Sequence, residues 1–163
     1  MKIPLIYNRI LILFFFIANI IILDQVSKKW IINNLLLHEK KPLISIMNIF
    51  YVRNYGTAFN FFSNNPGEKN YILCLISSIA ILIILKTMYN NTTIENFFYN
   101  IPSAFIISGA IGNFIDRCYL GYVIDFIDFH INNWHFATFN IADVSIFIGS
   151  VLFIYHNKYF LKN

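Results

Sequence analysis

The stretch "TFNIADVSIFIGSVLFIY", Thr138–Tyr155, indicates how this chain folds. From Val144 onward it is typical of a membrane-spanning helix, yet Asp143 stands where the apolar run begins. Asn140 precedes Asp143 by three residues, which is the pattern of a helix N-cap followed by an acid in the first turn. Capping is therefore one interpretation of Asp143. A chemical role is the other, because a carboxylate at membrane depth is costly to keep.

The composition is that of an integral membrane protein. Of 163 residues, 58% are hydrophobic and 12% are charged, whereas a soluble domain has about 25% charged residues. The basic residues form no continuous stripe, so we expect no nucleic-acid partner, and the net charge of +4 suits anionic membrane lipids. Cys74 and Cys118 lie far apart in no CxxC pattern, which predicts neither a metal site nor a disulfide framework.

The apolar runs predict four membrane-spanning helices in one integral-membrane domain, residues 1–163. The expected spans lie near 10–32, 70–89, 96–116 and 140–156. The basic N-terminus resembles that of a signal peptide, but no cleavage site follows, so the first span is predicted to be retained. Residues 40–66 are rich in β-branched and aromatic side chains and close with "NNPG", which predicts a β-rich outer segment.

Four spans bring most of the acidic residues to one side of the membrane. Five of the eight share that side: Asp24, Asp116, Asp125, Asp128 and Asp143. The charge bias favours cytoplasmic termini and carboxylates at the outer face. Two carboxylates held close together share one proton, and such a pair can activate water and protonate a leaving group, as peptide hydrolysis requires. Asp143 and an acidic neighbour are therefore a candidate catalytic pair.

Two of these acids have basic neighbours in the sequence. Asp24 and Lys28 are four residues apart on one helix face, which predicts an intrahelical ion pair. Ser27 and Lys28 could in principle be a nucleophile and base, but adjacent helical residues point about 100° apart. Asp116 is followed by Arg117, and a structural ion pair is the expectation there.

Small residues indicate close packing and a turn. Ala104, Ser108 and Gly112 form a ridge at four-residue spacing, against which another helix can pack closely. In "NYGTAF", Asn54 and Gly56 fit either a turn at the end of a strand or a backbone that closely approaches a ligand.

A metal site is the weaker interpretation of the segment after the third span. Asp125 and Asp128 could be joined by His130 and His135, but this spacing matches no metal-binding motif. We therefore expect neither a metal nor a cofactor.

Five motifs in order, "DQVSK", "RNYGTAF", "SGAIGNFIDR", "YVIDFIDF" and "WHFATFNIAD", resemble lipoprotein signal peptidase, also called signal peptidase II, over essentially the whole chain. The resemblance implies an aspartic endopeptidase of the bacterial inner membrane, with its active site at the outer, periplasmic face. Such enzymes remove the signal peptide of prolipoproteins just before a cysteine that carries diacylglycerol. The implied fold has four transmembrane helices, a small β-sheet cradle and a surface helix after the third span.

The resemblance also implies roles for individual residues. Asp125 and Asp143 are the implied catalytic pair. The implied supporting positions are Asp24, Lys28, Asn54, Gly56, Asn113, Asp116, Arg117 and Asn140. The implied partners are lipidated prolipoprotein signal peptides and membrane lipids, and we expect a monomer.

Two further expectations concern the substrate and the competing class of protein. The aromatic segment around Tyr51, Phe59, Phe61 and Phe62 is expected to form a wall against lipid or peptide. The alternative class is a small proton-coupled transporter, which also carries acids at membrane depth. A transporter needs access from both sides, and the ionisable groups here gather at one face.

Overall fold

The computed structural model describes residues 3–56, 66–90 and 100–160. In chain order, their helices and strands are α1 (Ile3–Asn34), β1 (Lys40–Ile44), β2 (Met47–Asn54), α2 (Pro66–Asn90), α3 (Asn100–Leu120), β3 (Val123–Ile131), β4 (Trp134–His135) and α4 (Ile141–Phe160). These helices coincide with the four predicted apolar runs. The start of the predicted third span (96–99) and residues 57–65 of the predicted β-rich segment, including Phe59, Phe61 and Phe62, lie outside the described residues.

Two of the described helices are long and apolar enough to cross a membrane. They cover Arg9–Asn34 in α1 and Asn70–Asn90 in α2, each with a mean hydropathy of 2.3. The apolar part of α4, Ile141–His156, is shorter. Helix α1 has 32 residues. At 1.5 Å per residue it is about 48 Å long, which exceeds the roughly 30 Å hydrocarbon core of a bilayer.

Helix α3 lies at the centre of the helices and packs against the other three. The predicted small-residue ridge is confirmed, because Ala104 and Ser108 are fully buried. The Ser108 hydroxyl lies 3.0 Å from that of Ser145 on α4. A Cβ atom on Gly112 would lie 2.7 Å from a carboxylate oxygen of Asp24. The ridge therefore lets α1 and α4 approach α3 closely enough for their polar groups to meet.

The four described strands form one antiparallel layer in the order β1-β2-β3-β4. The β2–β3 register shifts between Ile49 and Val52, a β-bulge that leaves Val52 opposite Asp125. The hydrophobic core between the sheet and the end of α1 consists of Ile31, Leu35, Tyr51, Ile124 and Phe126. The expectation that Tyr51 faces lipid or peptide is therefore wrong, because the bulged strand turns its ring into this core.

The segment after α3 is a strand, so the expected surface helix is wrong for residues 121–140. Gly121, at φ +79°, ends α3 in the left-handed conformation that a side chain would strain. Its N–H donates to the Arg117 carbonyl at 3.2 Å. The following residues, "VIDFIDFHI", are β-branched and aromatic at most positions, and they complete the ladder along β2.

Candidate active site

The start of α4 is held by side chains from two helices. The Asn140 Oδ1 atom accepts the Asp143 N–H at 2.9 Å, and the Asp143 Oδ2 atom accepts the Asn140 N–H at 3.2 Å. This reciprocal cap confirms the structural interpretation of Asp143. Asp24 on α1 adds a second cap, since its Oδ1 atom accepts the Ala142 N–H at 2.9 Å. The cap leaves Asp143 half-buried, with its Oδ1 atom bound to another helix.

Lys28 is the centre of a buried ion cluster. It is 1% exposed, and its Nζ atom lies 2.7 Å from Asp24 and 2.9 Å from Asp116. The predicted Asp24–Lys28 pair is thus confirmed. The predicted pairing of Asp116 with Arg117 is wrong, because successive helical residues point in different directions and Arg117 faces another cleft. The Lys28 ammonium also donates to the Asn113 Oδ1 atom at 3.1 Å.

Asp116 connects α1 and α3 to the start of β3. Its Oδ2 atom accepts the Ile124 N–H at 3.2 Å, one residue before Asp125. Its Oδ1 atom accepts the Gln25 side-chain amide at 3.0 Å, and Gln25 also donates to the Gly112 carbonyl at 3.1 Å. Sequence reasoning missed Gln25, although it belongs to the "DQVSK" motif, because its partners Gly112 and Asp116 lie on another helix. These contacts give Asp116 a structural role.

Asp125 is buried on β3 among neutral donors. It is 2% exposed. Its two oxygens accept the side-chain amides of Asn54, at 2.9 Å, and of Asn140, at 2.8 Å. Burial and then the nearby charge of Asp143 raise the pKa of Asp125 to about 7, against the smaller opposing effect of these hydrogen bonds. Asp125 therefore holds a proton until the pH approaches neutrality.

Two asparagines join the ion cluster to both carboxylates. The Asn113 amide donates to the Asp143 Oδ1 atom at 2.8 Å, and the Asn140 amide donates to the Asn113 Oδ1 atom at 3.1 Å. Asn140 thus contacts Asp125 and Asp143 together. The structure brings these two acids together with six of the eight predicted supporting residues: Asp24, Lys28, Asn54, Asn113, Asp116 and Asn140.

Of the two remaining supporting residues, Gly56 lies at the margin of this network and Arg117 lies away from it. Gly56, at φ +73°, donates its N–H to the Asn54 Oδ1 atom at 2.8 Å, which confirms the strand-end turn. Arg117 lines a polar cleft of about 400 Å³ with Tyr55 and Asn70.

The fifth converging acid, Asp128, lies in a separate cluster on the sheet, with His135 at 2.7 Å. Within the described residues, no group of three or more His, Cys, Asp or Glu side chains is arranged to hold a metal ion. Among the five acids, Asp24, Asp116 and Asp128 form ion pairs. Asp125 and Asp143 are bound by amides and backbone N–H groups.

Asp143 opens onto an apolar cleft of about 640 Å³. The other lining residues are Phe129, Phe136, Phe139, Val144 and Phe147. Sequence reasoning missed these phenylalanines, although Phe136 and Phe139 belong to the same motif as Asp143. The site therefore combines paired carboxylates with an apolar surface large enough for a hydrophobic side chain or acyl chain.

Two solved structures described as a bacterial membrane enzyme, both obtained by the in meso method, share this fold. The structure at 1.9 Å resolution has a TM-score of 0.76 at 31% identity, covering 88% of this chain and 90% of that chain. The structure at 2.3 Å resolution has a TM-score of 0.74 at 32% identity, covering 88% and 85%.

Curated relatives match over most of their length. The lipoprotein signal peptidase of Buchnera aphidicola subsp. Schizaphis graminum is 48% identical over 141 residues, covering 86% of this chain and 89% of the relative. The lipoprotein signal peptidase of Serratia proteamaculans is 41% identical over 135 residues, covering 83% and 79%.

The fold and these similarities define the class, a membrane-bound aspartic peptidase of bacteria. The sequence pattern of signal peptidase (SPase) II matches residues 16–159. This chain belongs to the signal peptidase II family.

Replacing the buried cation should destabilise the fold. Lys28→Met leaves Asp24 and Asp116 buried without their ion-pair partner, and breaking a buried pair in this way costs about 3–5 kcal/mol of unfolding free energy. Equilibrium unfolding in detergent micelles measures the change. Lys29→Met is the matched control, because Lys29 is the exposed neighbour on the same helix. Equal stability of the two variants would show that the buried carboxylates do not depend on Lys28.

Proposed function

We propose that residues 1–163 form one integral-membrane peptidase domain that removes signal peptides from lipidated prolipoproteins, with Asp125 and Asp143 as its catalytic pair. Family membership supports the activity. The choice of residues is carried by one observation: of the five converging acids, these two are joined through Asn140 and bound by neutral donors. A carboxylate paired with a lysine is held ionised, whereas two acids without such a partner can share a proton.

The surroundings assign a different role to each acid. The N-terminus of α4 and the Asn113 amide stabilise the charge of Asp143. Burial and the proximity of that charge favour the protonated form of Asp125, whose pKa is raised to about 7. Below about pH 7 the pair therefore has one proton available on Asp125, and Asp143 is the partner that acts as base.

These roles are sufficient for hydrolysis of a peptide bond. Asp143 removes a proton from a water molecule while the water oxygen attacks the scissile carbonyl carbon, and Asp125 donates its proton to the carbonyl oxygen. When the tetrahedral intermediate collapses, the C–N bond breaks. The proton then returns from the intermediate to Asp125, and Asp143 protonates the leaving amine. The pair is thereby restored for the next substrate.

We place the catalytic pair at the outer face of the bacterial inner membrane, with four spans and cytoplasmic termini. Helices α3 and α4 have 21 and 20 residues, and at 1.5 Å per residue each is about 30 Å long, enough to span the hydrocarbon core. The Asp24–Ala142 contact shows that α1 and α4 share the level of the site. Lys86 and Lys158 lie near the C-terminal ends of α2 and α4, on the side of the membrane away from the catalytic pair. Positive charge on that side favours the cytoplasm for it.

The apolar cleft beside Asp143 accounts for a lipid-modified substrate. Its phenylalanines offer a surface for an apolar segment or an acyl chain, next to the carboxylate that would activate water. Every group in the network comes from one chain, so a monomer suffices for catalysis. The partners are then the lipidated signal peptide and the surrounding membrane lipids.

Removing either carboxylic acid should abolish cleavage. Asp125→Asn and Asp143→Asn keep the size of the side chain but can neither share a proton nor act as base. The double variant should lose no more activity than either single variant, because the pair acts as a unit. Gel-shift assays of a lipidated precursor measure the loss. Glu39→Gln, which changes a half-buried acid just before β1, is the control and should retain activity. Substantial turnover by either single variant would refute the assignment.

Activity should fall as the pH rises through about 7. The pKa of Asp125 is raised to about 7, so the proton that the mechanism requires is present below this pH and lost above it. The Asn54 amide stabilises the ionised form of Asp125 and so lowers its pKa. Asn54→Ala should therefore move the alkaline limb of the pH profile of kcat/KM to higher pH. Asn34→Ala, an exposed asparagine on α1, should leave it in place. A limb that does not move in Asn54→Ala would contradict Asp125 as the acid.

A precursor with an unmodified cysteine should be cleaved very poorly. Each buried CH₂ contributes about 0.8 kcal/mol of membrane affinity, and two acyl chains hold the cleavage site at the depth of the carboxylates. Single-turnover rates of matched lipidated and unlipidated precursors, at equal membrane concentration, test this. Equal rates would mean that the lipid does not select the substrate.

A further inference from the structure

A second buried carboxylate lies on the sheet, outside the network of the catalytic pair. Asp128 on β3 is 2% exposed. Its Oδ2 atom accepts the Asn48 amide at 3.0 Å and lies 3.0 Å from the Lys40 ammonium. Its Oδ1 atom lies 2.7 Å from the His135 Nδ1 atom. Burial raises the pKa of Asp128, but hydrogen bonds from Asn48, His135 and Lys40 outweigh it and lower the pKa to about 2. Asp128 is therefore ionised at any physiological pH.

The three partners of Asp128 come from three different strands. Lys40 belongs to β1, Asn48 to β2 and His135 to β4, so one carboxylate on β3 joins all four described strands. Strand β4 has only two residues, which pair with His130 and Ile131. Its backbone ladder is short, and the contact between His135 and Asp128 adds a side-chain attachment to the sheet.

The β3–β4 hairpin forms one wall of the apolar cleft. Immediately after β4, the Phe136 N–H donates to the Phe129 carbonyl at 2.8 Å. Further on, Phe139 exchanges backbone hydrogen bonds with Ile127 at 3.1 and 2.8 Å. Phe129, Phe136 and Phe139 all line the cleft. Phe136 directly follows β4, so the position of this part of the aromatic wall depends on how β4 is held.

We propose that Asp128 is a positioning residue: it holds the β3–β4 hairpin and so fixes the aromatic wall against which the substrate binds. The proposal rests on the proposed function, in which the substrate occupies this cleft. Asp128 acts through Phe136, which directly follows β4. The catalytic pair is bound by Asn54, Asn113 and Asn140, whereas the partners of Asp128 are Lys40, Asn48 and His135. Loss of Asp128 should consequently weaken substrate binding and leave the chemical step intact.

Kinetic constants for a lipidated precursor separate positioning from a general effect on folding. Asp128→Asn should raise KM about tenfold and leave kcat unchanged, because it removes charge-assisted hydrogen bonds that act on binding. A general loss of folded enzyme would lower apparent kcat at constant KM, and that result would overturn the proposal. Glu39→Gln is the control: it removes a half-buried acid that pairs with Lys41, away from Asp128, and should leave both constants unchanged.

His135→Ala tests the same contact from its exposed side, at a residue whose side chain is 40% exposed. It should raise KM as Asp128→Asn does. The double variant should have the same KM as Asp128→Asn alone, because both changes remove the same contact between His135 and Asp128. Additive effects, or an unchanged KM in His135→Ala, would overturn the proposal.

Phe136→Ala distinguishes this proposal from the assignment of the cleft. If Phe136→Ala raises KM while Asp128→Asn and His135→Ala do not, the substrate uses the cleft and Asp128 does not position it. If all three leave KM unchanged, the substrate binds elsewhere, and both the cleft assignment and the positioning role are refuted. The catalytic pair is judged separately, by the loss of turnover in Asp125→Asn.

Discussion

A lysine ammonium group withdrawn from water must be surrounded by opposite charge and hydrogen-bond acceptors, and Lys28 imposes that requirement on the whole molecule. Two carboxylates, Asp24 and Asp116, compensate its charge and leave an excess of one negative charge. That excess is stabilised by donors from other elements: the Gln25 amide, the Ile124 N–H and the Ala142 N–H. Satisfying one cation therefore brings α1, α3, β3 and α4 to a common point, and the candidate catalytic acids lie beside it.

The division of the acids follows from the type of partner each has. Lys28 forms ion pairs with both Asp24 and Asp116. Around Asp125 and Asp143 the partners are asparagines, which fix the position of a carboxyl group without supplying a charge that would keep both acids ionised. An asparagine amide can donate to one group and accept from another, so Asn140 caps a helix and orients Asp125 at the same time.

Much of this arrangement could be predicted from the sequence, where the signal is local. The apolar runs indicated the helices, the spacing of Asn140 and Asp143 indicated a cap, and the number of spans indicated which acids converge. Contacts between distant segments could not be predicted in this way. The partner of Asp116 lies on another helix, so Arg117, its neighbour in sequence, was the wrong choice. The strand after α3 was missed because it forms only by pairing with the free edge of β2. The phenylalanines of the cleft were missed because the β3–β4 hairpin is what brings them together.

The bond between the Asp24 carboxylate and the Ala142 N–H joins residues 118 positions apart, in the first and last helices. A ribosome delivers these helices to the membrane in sequence, so Asp24 arrives long before the group it caps. Until then its charge is matched within α1 by Lys28, four residues away, which lets the first helix enter the bilayer as a neutral pair. The candidate catalytic pair, Asp125 and Asp143, cannot come together in a nascent chain while α4 is still in the translation machinery. The order of biosynthesis therefore delays assembly of this candidate site until α4 has been inserted.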